Sequence, residues 1–316
     1  TRADIYGYVI HRCLQLLKVN SRFGFIVMHN LAFSKHFDKV RKSIKSNISN
    51  GWFSFFARIP AGLFSGDVRV RNCIFIVEKK SKSNVTGFYT TRIHRWFAEG
   101  REYLFPKLIY TPFKSIGVIP MYDSQPLASF YDMPIRENIA NHIVRNSKHK
   151  LYFKQSAYNW IAVSIEPAPC YDSNGKRIIQ TQVSDISFNA KDVANLALLF
   201  LNGKLFLSKW LTFGDEFHLT KDDIVSTPFP FQKISESDKT VLLKYSEEFV
   251  SRLNDTIQYK LNAGKNVGTY NTSKLWNITD KSDLIFLKYL TENPIKVFQS
   301  VEAHIGKTVI TIEDDE

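Results

Sequence analysis

The sequence predicts an α/β protein whose second part changes to an α+β arrangement with helical segments. Three observations carry this prediction. Residues 4–46 alternate helix, apolar run and helix; residues 52–91 are then β-rich; and five prolines between 106 and 134 coincide with a change in charge. Residues 1–125 hold 20 Lys+Arg against 7 Asp+Glu, a net of +13, whereas residues 126–316 hold 22 against 23, a net of −1. All of the +12 formal charge of the 316-residue chain therefore sits in its first part. Two domains are expected, 1–125 and 126–316, with 106–134 as the linker.

In chain order, Ile5, Val9, Cys13, Leu16 and Leu17 fall at helical spacing behind Asp4 as a plausible N-cap. A polar turn, Val19-Asn20-Ser21-Arg22, leads into Phe23-Gly24-Phe25-Ile26-Val27-Met28, an unalternating apolar run that reads as a strand buried on both faces. Ser34 then caps a Lys- and Arg-rich helix over about 35–46. Trp52–Ile59, Arg69–Lys79 and Val85–Thr91 read as strands, the first two joined by the shaped loop 60–67, and a short helix is expected through Trp96 and Phe97.

In the second part Pro134 suits the first turn of a helix to Arg145. Strands are expected at 150–155, 159–166 and 177–188, with a turn at Asp172-Ser173-Asn174-Gly175. Two apolar helices, 192–201 and 204–211, break at Asn202-Gly203, and a long amphipathic helix runs over 237–261. A helix near 282–292 and a strand at 307–312 close the chain.

Several function classes are excluded by motif. There is no GxGxxG, Walker loop, HExxH or GxSxG, and Gly264-Lys265 lacks the following Ser or Thr of a phosphate loop. Cys13, Cys73 and Cys170 are scattered and odd in number, which argues against a disulfide scaffold or a four-Cys zinc site and fits a reducing cytoplasm. The eight histidines form no ligand spacing, and His142 and His149 read as a surface pair; no metal site is expected. Nothing approaches the run of about 18 apolar residues that would span a membrane. The basic excess points to an anionic partner, nucleic acid first.

A resemblance sharpens that partner. Asp4-Ile5-Tyr6, Leu16-Leu17-Lys18, Phe23-Gly24-Phe25-Ile26-Val27 and Phe33-Ser34 resemble the part of adenine-N6 DNA methyltransferases that follows their catalytic Asn-Pro-Pro-aromatic tetrapeptide. Asn20-Ser21-Arg22 stands where that family commonly has Pro-Gly-Gly. Leu63-Phe64-Ser65-Gly66-Asp67-Val68 and Asn72-Cys73-Ile74-Phe75-Ile76 are similar to its antiparallel sheet edge. Stretches 198–206, 213–219 and 228–230 resemble a target recognition domain of single-chain restriction–modification enzymes and type I specificity subunits.

The resemblance implies the C-terminal half of a Rossmann-like methyltransferase domain followed by a target recognition domain. It implies double-stranded DNA as partner, other restriction–modification subunits as possible partners, and S-adenosylmethionine as cofactor of the intact protein. The methyl-donor loop and the tetrapeptide are both absent (the one Asn-Pro is Asn293-Pro294), and the chain opens on Thr1 without Met. It therefore reads as a fragment that binds no cofactor and holds no catalytic residue of its own. Phe64 matches the aromatic that covers the second face of the flipped adenine, with core packing as the competing reading. Lys148, Lys150, Lys154, Tyr158, Trp160, Lys176, Arg177, Gln180 and Gln182 are the expected DNA contacts of the second domain. A non-catalytic DNA-specificity module is the alternative, and an upstream Asn-Pro-Pro-aromatic motif discriminates the two.

Overall fold

The computed structural model describes residues 4–64, 70–79, 87–114, 117–134, 137–157 and 159–308. It divides into two compact units, Thr1–Asp132 with Leu211–Asp215, and Met133–Trp210 with Glu216–Glu316. Both mix helices with sheet.

The first unit is built on a five-stranded mixed sheet. Helix α1 (Ile5–Leu16) precedes β1 (Ser21–Met28); α2 (Asp38–Asn47) then leads to β2 (Asn50–Phe56), β3 (Asn72–Lys79), β4 (Gly87–His94), β5 (Thr111–Phe113) and helix α3 (Gln125–Tyr131). The strand order is β1-β3-β2-β4-β5. β3 is antiparallel to both β1 and β2, β2 runs parallel to β4, and β5 is antiparallel to β4. One face carries Phe53, Phe55, Phe75, Val77 and Ile93, all without solvent exposure. Alternation along the strands puts Ile26, Met28 and Ile76 on the other side, each more than 40% exposed.

Two sequence expectations need correcting here. β1 is not buried on both faces: its burial alternates and it pairs only with β3. An apolar run marks a strand, but exposure is decided by which faces find a cover. The proline-rich stretch is not an open linker either, because it contains β5 and α3 and buries Ile119, Met121 and Tyr122. Pro126 sits in the first turn of α3, where a missing N–H costs nothing. Ser34 does cap, its side chain accepting from His36 N, but it opens a 3-10 turn (Lys35–Phe37) that continues into α2.

In the second unit β6 (Lys150–Lys154) is flanked by β7 (Val163–Ser164) and β9 (Val183–Ser187), while β8 (Cys170–Tyr171) belongs to a separate sheet. The core comes from α4 (Lys191–Asn202) and α5 (Lys204–Phe213), followed by α6 (Lys221–Val225), α7 (Glu236–Leu253) and, after two strands, α8 (Trp276–Leu290) and α9 (Pro294–Thr308). Leu196, Leu198, Leu199, Leu201, Phe206 and Phe286 are at most 1% exposed. The break at Gly203 has a local cause. Asp283 of α8 occupies the space a Cβ would need there, and its carboxylate accepts from Leu205 N (3.1 Å), capping α5. Among the described residues no single helix is long and apolar enough to cross a membrane; α4 and α5 together pass that test by composition but bend by 63°.

Four further expectations change. Residues 137–145 form only a 3-10 turn, Ile139–His142. His142 is buried, not on the surface, with Nε2 2.7 Å from Glu137 Oε1. The long helix ends at Leu253, and residues 257–262 are strand β10, hairpinned to β11 (Lys265–Tyr270). The expected strand at 307–312 overlaps α9 at its start, and residues from 309 lie outside the described ones.

Candidate nucleic-acid interface

The period-2 alternation of β6 positions the first group of side chains. Leu151 and Phe153 point into the core, at most 2% exposed, so Lys150, Tyr152 and Lys154 share the outward face. Lys150 is paired with Asp185 across the sheet (3.3 Å). Lys154 reaches the hairpin instead, donating from Nζ to Thr269 Oγ1 (2.7 Å). Burial, followed by the nearby Lys260, lowers its pKa. Two adjoining clefts meet at Lys154, Ala162 and Thr269, and Trp160, Ser156 and Asn159 line one of them. Trp160 is half-buried, its Nε1 donating to Tyr270 O (2.9 Å), which fixes the indole beside Lys154.

The second group stands on the sheet β10-β11-β8. Ala263 and Gly264 turn the hairpin with φ of 48° and 74°, both left-handed, as a two-residue turn of matching twist requires. At Gly268 the backbone N–H donates to Pro169 O (2.8 Å), and a Cβ there would collide with that carbonyl. Tyr171 and Tyr259 meet with ring centroids 6.2 Å apart, and Arg177, paired with Tyr171 through the backbone in an antiparallel β-bridge, acts electrostatically on Tyr259 and Tyr270. The turn below is held by Asp172, whose Oδ1 accepts from Asn174 N and Lys176 N, both 2.9 Å.

The predicted contacts thus separate into three groups. Lys154 and Trp160 converge on the clefts; Lys176 and Arg177 are exposed on the turn beside the hairpin; Lys148, Lys150 and Gln182 are exposed on or next to β6 and β9. Gln180 belongs to the framework. It is buried, and its amide nitrogen donates to Gly268 O (2.8 Å) and Ala168 O (3.0 Å). Tyr158 lies outside the described residues. The hairpin residues Gln258, Lys260, Asn262 and Thr269 were not among the expected contacts, because the sequence reads as helix to 261, although Asn262-Ala263-Gly264-Lys265 between alternating segments is a turn signal.

In the first unit Phe64 follows Leu63, and the two divide the work. Leu63 is buried with Phe56, Trp96 and Leu104, anchoring the loop; Phe64 is 44% exposed. Phe64 is thus not a member of that buried cluster. Residues 65–69, the rest of that loop, lie outside the described ones. Lys35, Lys39, Lys42 and Lys45 are exposed at helical spacing along the start and length of α2. Arg41, by contrast, is buried and donates to Gly117 O, Leu31 O and Ser34 O, so part of the basic excess is scaffold.

β1 passes directly into a 3-10 turn (His29–Leu31), and the exit of β2, Ala57-Arg58-Ile59-Pro60-Ala61-Gly62, holds a single glycine. Neither of these two described segments carries the closely spaced glycines of a methyl-donor loop. Among the described residues no three His, Cys, Asp or Glu side chains are grouped to hold a metal ion.

No family model matches the sequence, and no curated protein does. Among solved structures, 95% of the chain aligns with the type IIL restriction–modification enzyme MmeI in complex with DNA, at 9% identity and a TM-score of 0.44 over 48% of that chain. A DrdV–DNA complex aligns with 54% of the chain at 13% identity and a TM-score of 0.33, over 18% of its own length. The type ISP enzyme LlaGI, a nuclease-deletion mutant bound to a DNA substrate mimic, aligns with 73% at 11% identity and a TM-score of 0.30, over 19% of its length. The chain thus spans less than half of each, and each is bound to DNA or a DNA mimic.

Proposed function

We propose that the chain is the C-terminal part of a site-specific DNA adenine-N6 methyltransferase of a restriction–modification system. Its first unit completes the methyltransferase domain and its second unit recognises the target. The observation that carries this reading is the convergence of Lys154, Trp160 and the basic hairpin on one surface, in a chain whose opening segments resemble that family. Support also comes from the first unit, where α1, β1 and α2 lead into the antiparallel strand β3 in the order the resemblance implies.

Each part then has a physical task. The cationic stripe on α2 and Lys148, Lys150, Lys176 and Arg177 neutralise phosphates. Phe64, held outward by the buried Leu63, stacks on a base extruded from the duplex. In the intact protein S-adenosylmethionine would supply the methyl group. An upstream catalytic segment makes the parent an enzyme; without one the same surface serves a specificity subunit.

Filter binding of the 316-residue chain to duplex DNA tests the reading. Affinity should fall about tenfold or more between 50 and 200 mM salt, as expected when several phosphates are neutralised. Affinity that does not respond to salt, or no binding at 50 mM salt, would overturn it.

A further inference from the structure

The hairpin β10–β11 extends the site beyond the residues the sequence singled out. Every residue from Gln258 to Asn266 is exposed, so this ribbon contributes little to the packing of its own unit. Six cross-strand pairs, from Ile257↔Tyr270 to Asn262↔Lys265, give it a length of about 20 Å. Alternation assigns Gln258, Lys260 and Asn262 to one face, together with Lys265, which pairs with Asn262. The same face continues through Thr269 to Lys154 of β6. Tyr259 and Leu261, 49% and 75% exposed, occupy the opposite face.

We infer that this hairpin is a two-stranded ribbon that enters the major groove of duplex DNA. On that ribbon Gln258 and Asn262 read base edges, and Lys260, Lys265 and Lys154 hold the flanking phosphates. The inference rests on the DNA-binding reading above and gives that surface its base-reading element. Four physical points favour it. A two-stranded ribbon fits a groove about 12 Å wide. Carboxamides on one face of β10, at Gln258 and Asn262 four residues apart with Lys260 between them, each present a paired donor and acceptor, which suits adenine edges. Residues 257–270 contain two lysines and no acidic residue, so the ribbon complements a polyanion. The free edge of β10 bears Lys260 and polar side chains, which discourages pairing with another protein strand.

The test uses the 316-residue chain and a random-sequence duplex library, with selection of the bound fraction. Wild type should enrich a defined sequence. The double variant Gln258→Ala/Asn262→Ala should lose about ten- to a hundredfold in affinity for the enriched duplex, with less than about twofold loss on unselected duplex. Lys260→Ala should weaken both duplexes alike and lower the salt slope by about 1. These side chains are exposed, so folding is not at stake; unchanged thermal unfolding of the variants is the control. A photo-crosslinking residue at position 262 should label bases of the enriched duplex. If wild type enriches a sequence and the double variant retains full affinity for it, the ribbon assignment is overturned while DNA binding stands. Crosslinks confined to the sugar–phosphate backbone would overturn it too. If wild type binds no duplex, both readings fall.

Discussion

The sheet of the first unit and the hairpin sheet of the second treat their two faces differently. In the first unit, Phe53, Phe55 and Phe75 are completely buried on one side of a five-stranded sheet. In the second, β10 exposes residues on both faces of its hairpin, from Gln258 to Asn262. Burial of aromatic side chains makes the first sheet a source of stability, at roughly 25 cal/mol per Å² of apolar area removed from water. The ribbon gains little from burial and is held by its ladder, its left-handed turn and the close approach at Gly268. Substitutions in the two sheets should therefore be read by different assays, one by unfolding and the other by binding.

The largest effect expected tests that division directly. Phe53→Ala removes a fully buried ring in contact with Phe75 and Phe113, and should cost about 3–5 kcal/mol in urea unfolding. Leu261→Ala, at 75% exposure, should change stability by no more than about 0.5 kcal/mol. Comparable losses for both would mean that the hairpin is packed, and the division would fail.

How much of this was legible in the sequence follows the same line. The order helix, strand, helix, strand, strand, strand of the first unit could be read because its apolar periodicities are long and uninterrupted. The exposure of β1 could not, since Phe23–Met28 looks alike whether one face is covered or two. The hairpin was hidden by its neighbour: the periodicity of α7 continues through Leu253, Ile257 and Leu261, and Ala263-Gly264 is a short signal beside eighteen helical residues. Among the candidate residues, Lys154 and Trp160 could be placed from the sequence on a strand and its following loop. Gln180 was not distinguishable from Gln182 in sequence, because only the fold brings Gly268 and Ala168 to its amide.

Acid separates the regions next. His29, at the exit of β1, is 7% exposed, and burial followed by Arg71 lowers its pKa to about 4. It is neutral in the native state and free to take a proton once unfolded, near pH 6.5. The unfolded state therefore binds more protons between these values, and stability falls as pH drops from 6.5 toward 4, by up to about 3 kcal/mol. Asp283 in the second unit, its pKa raised by burial, acts in the opposite direction. The measurement is thus a difference, the pH dependence of wild type minus that of His29→Gln, which retains a donor for Asp215 O. A difference of zero across pH 4–6.5 would place His29 in contact with water.

The smallest effect concerns the exposed side of the second unit and is read in binding alone. Lys150 and Asp185 face each other at 3.3 Å, with side chains 43% and 45% exposed. A pair this open contributes roughly 0–1 kcal/mol to folding, so removing either partner should scarcely move the unfolding midpoint. Toward DNA the partners are not equivalent. Asp185 offsets the charge of Lys150 and repels phosphate, so Asp185→Ala should tighten duplex binding by about two- to fivefold at 50 mM salt. Lys150→Ala should weaken it by a similar factor and reduce the salt slope by about 1. Raising the salt shortens the screening length toward the pair distance and should bring the three proteins together. Opposite shifts at low salt that merge at high salt would put the outward face of β6 along the phosphate backbone; equal shifts in the same direction would confine the interface to the hairpin.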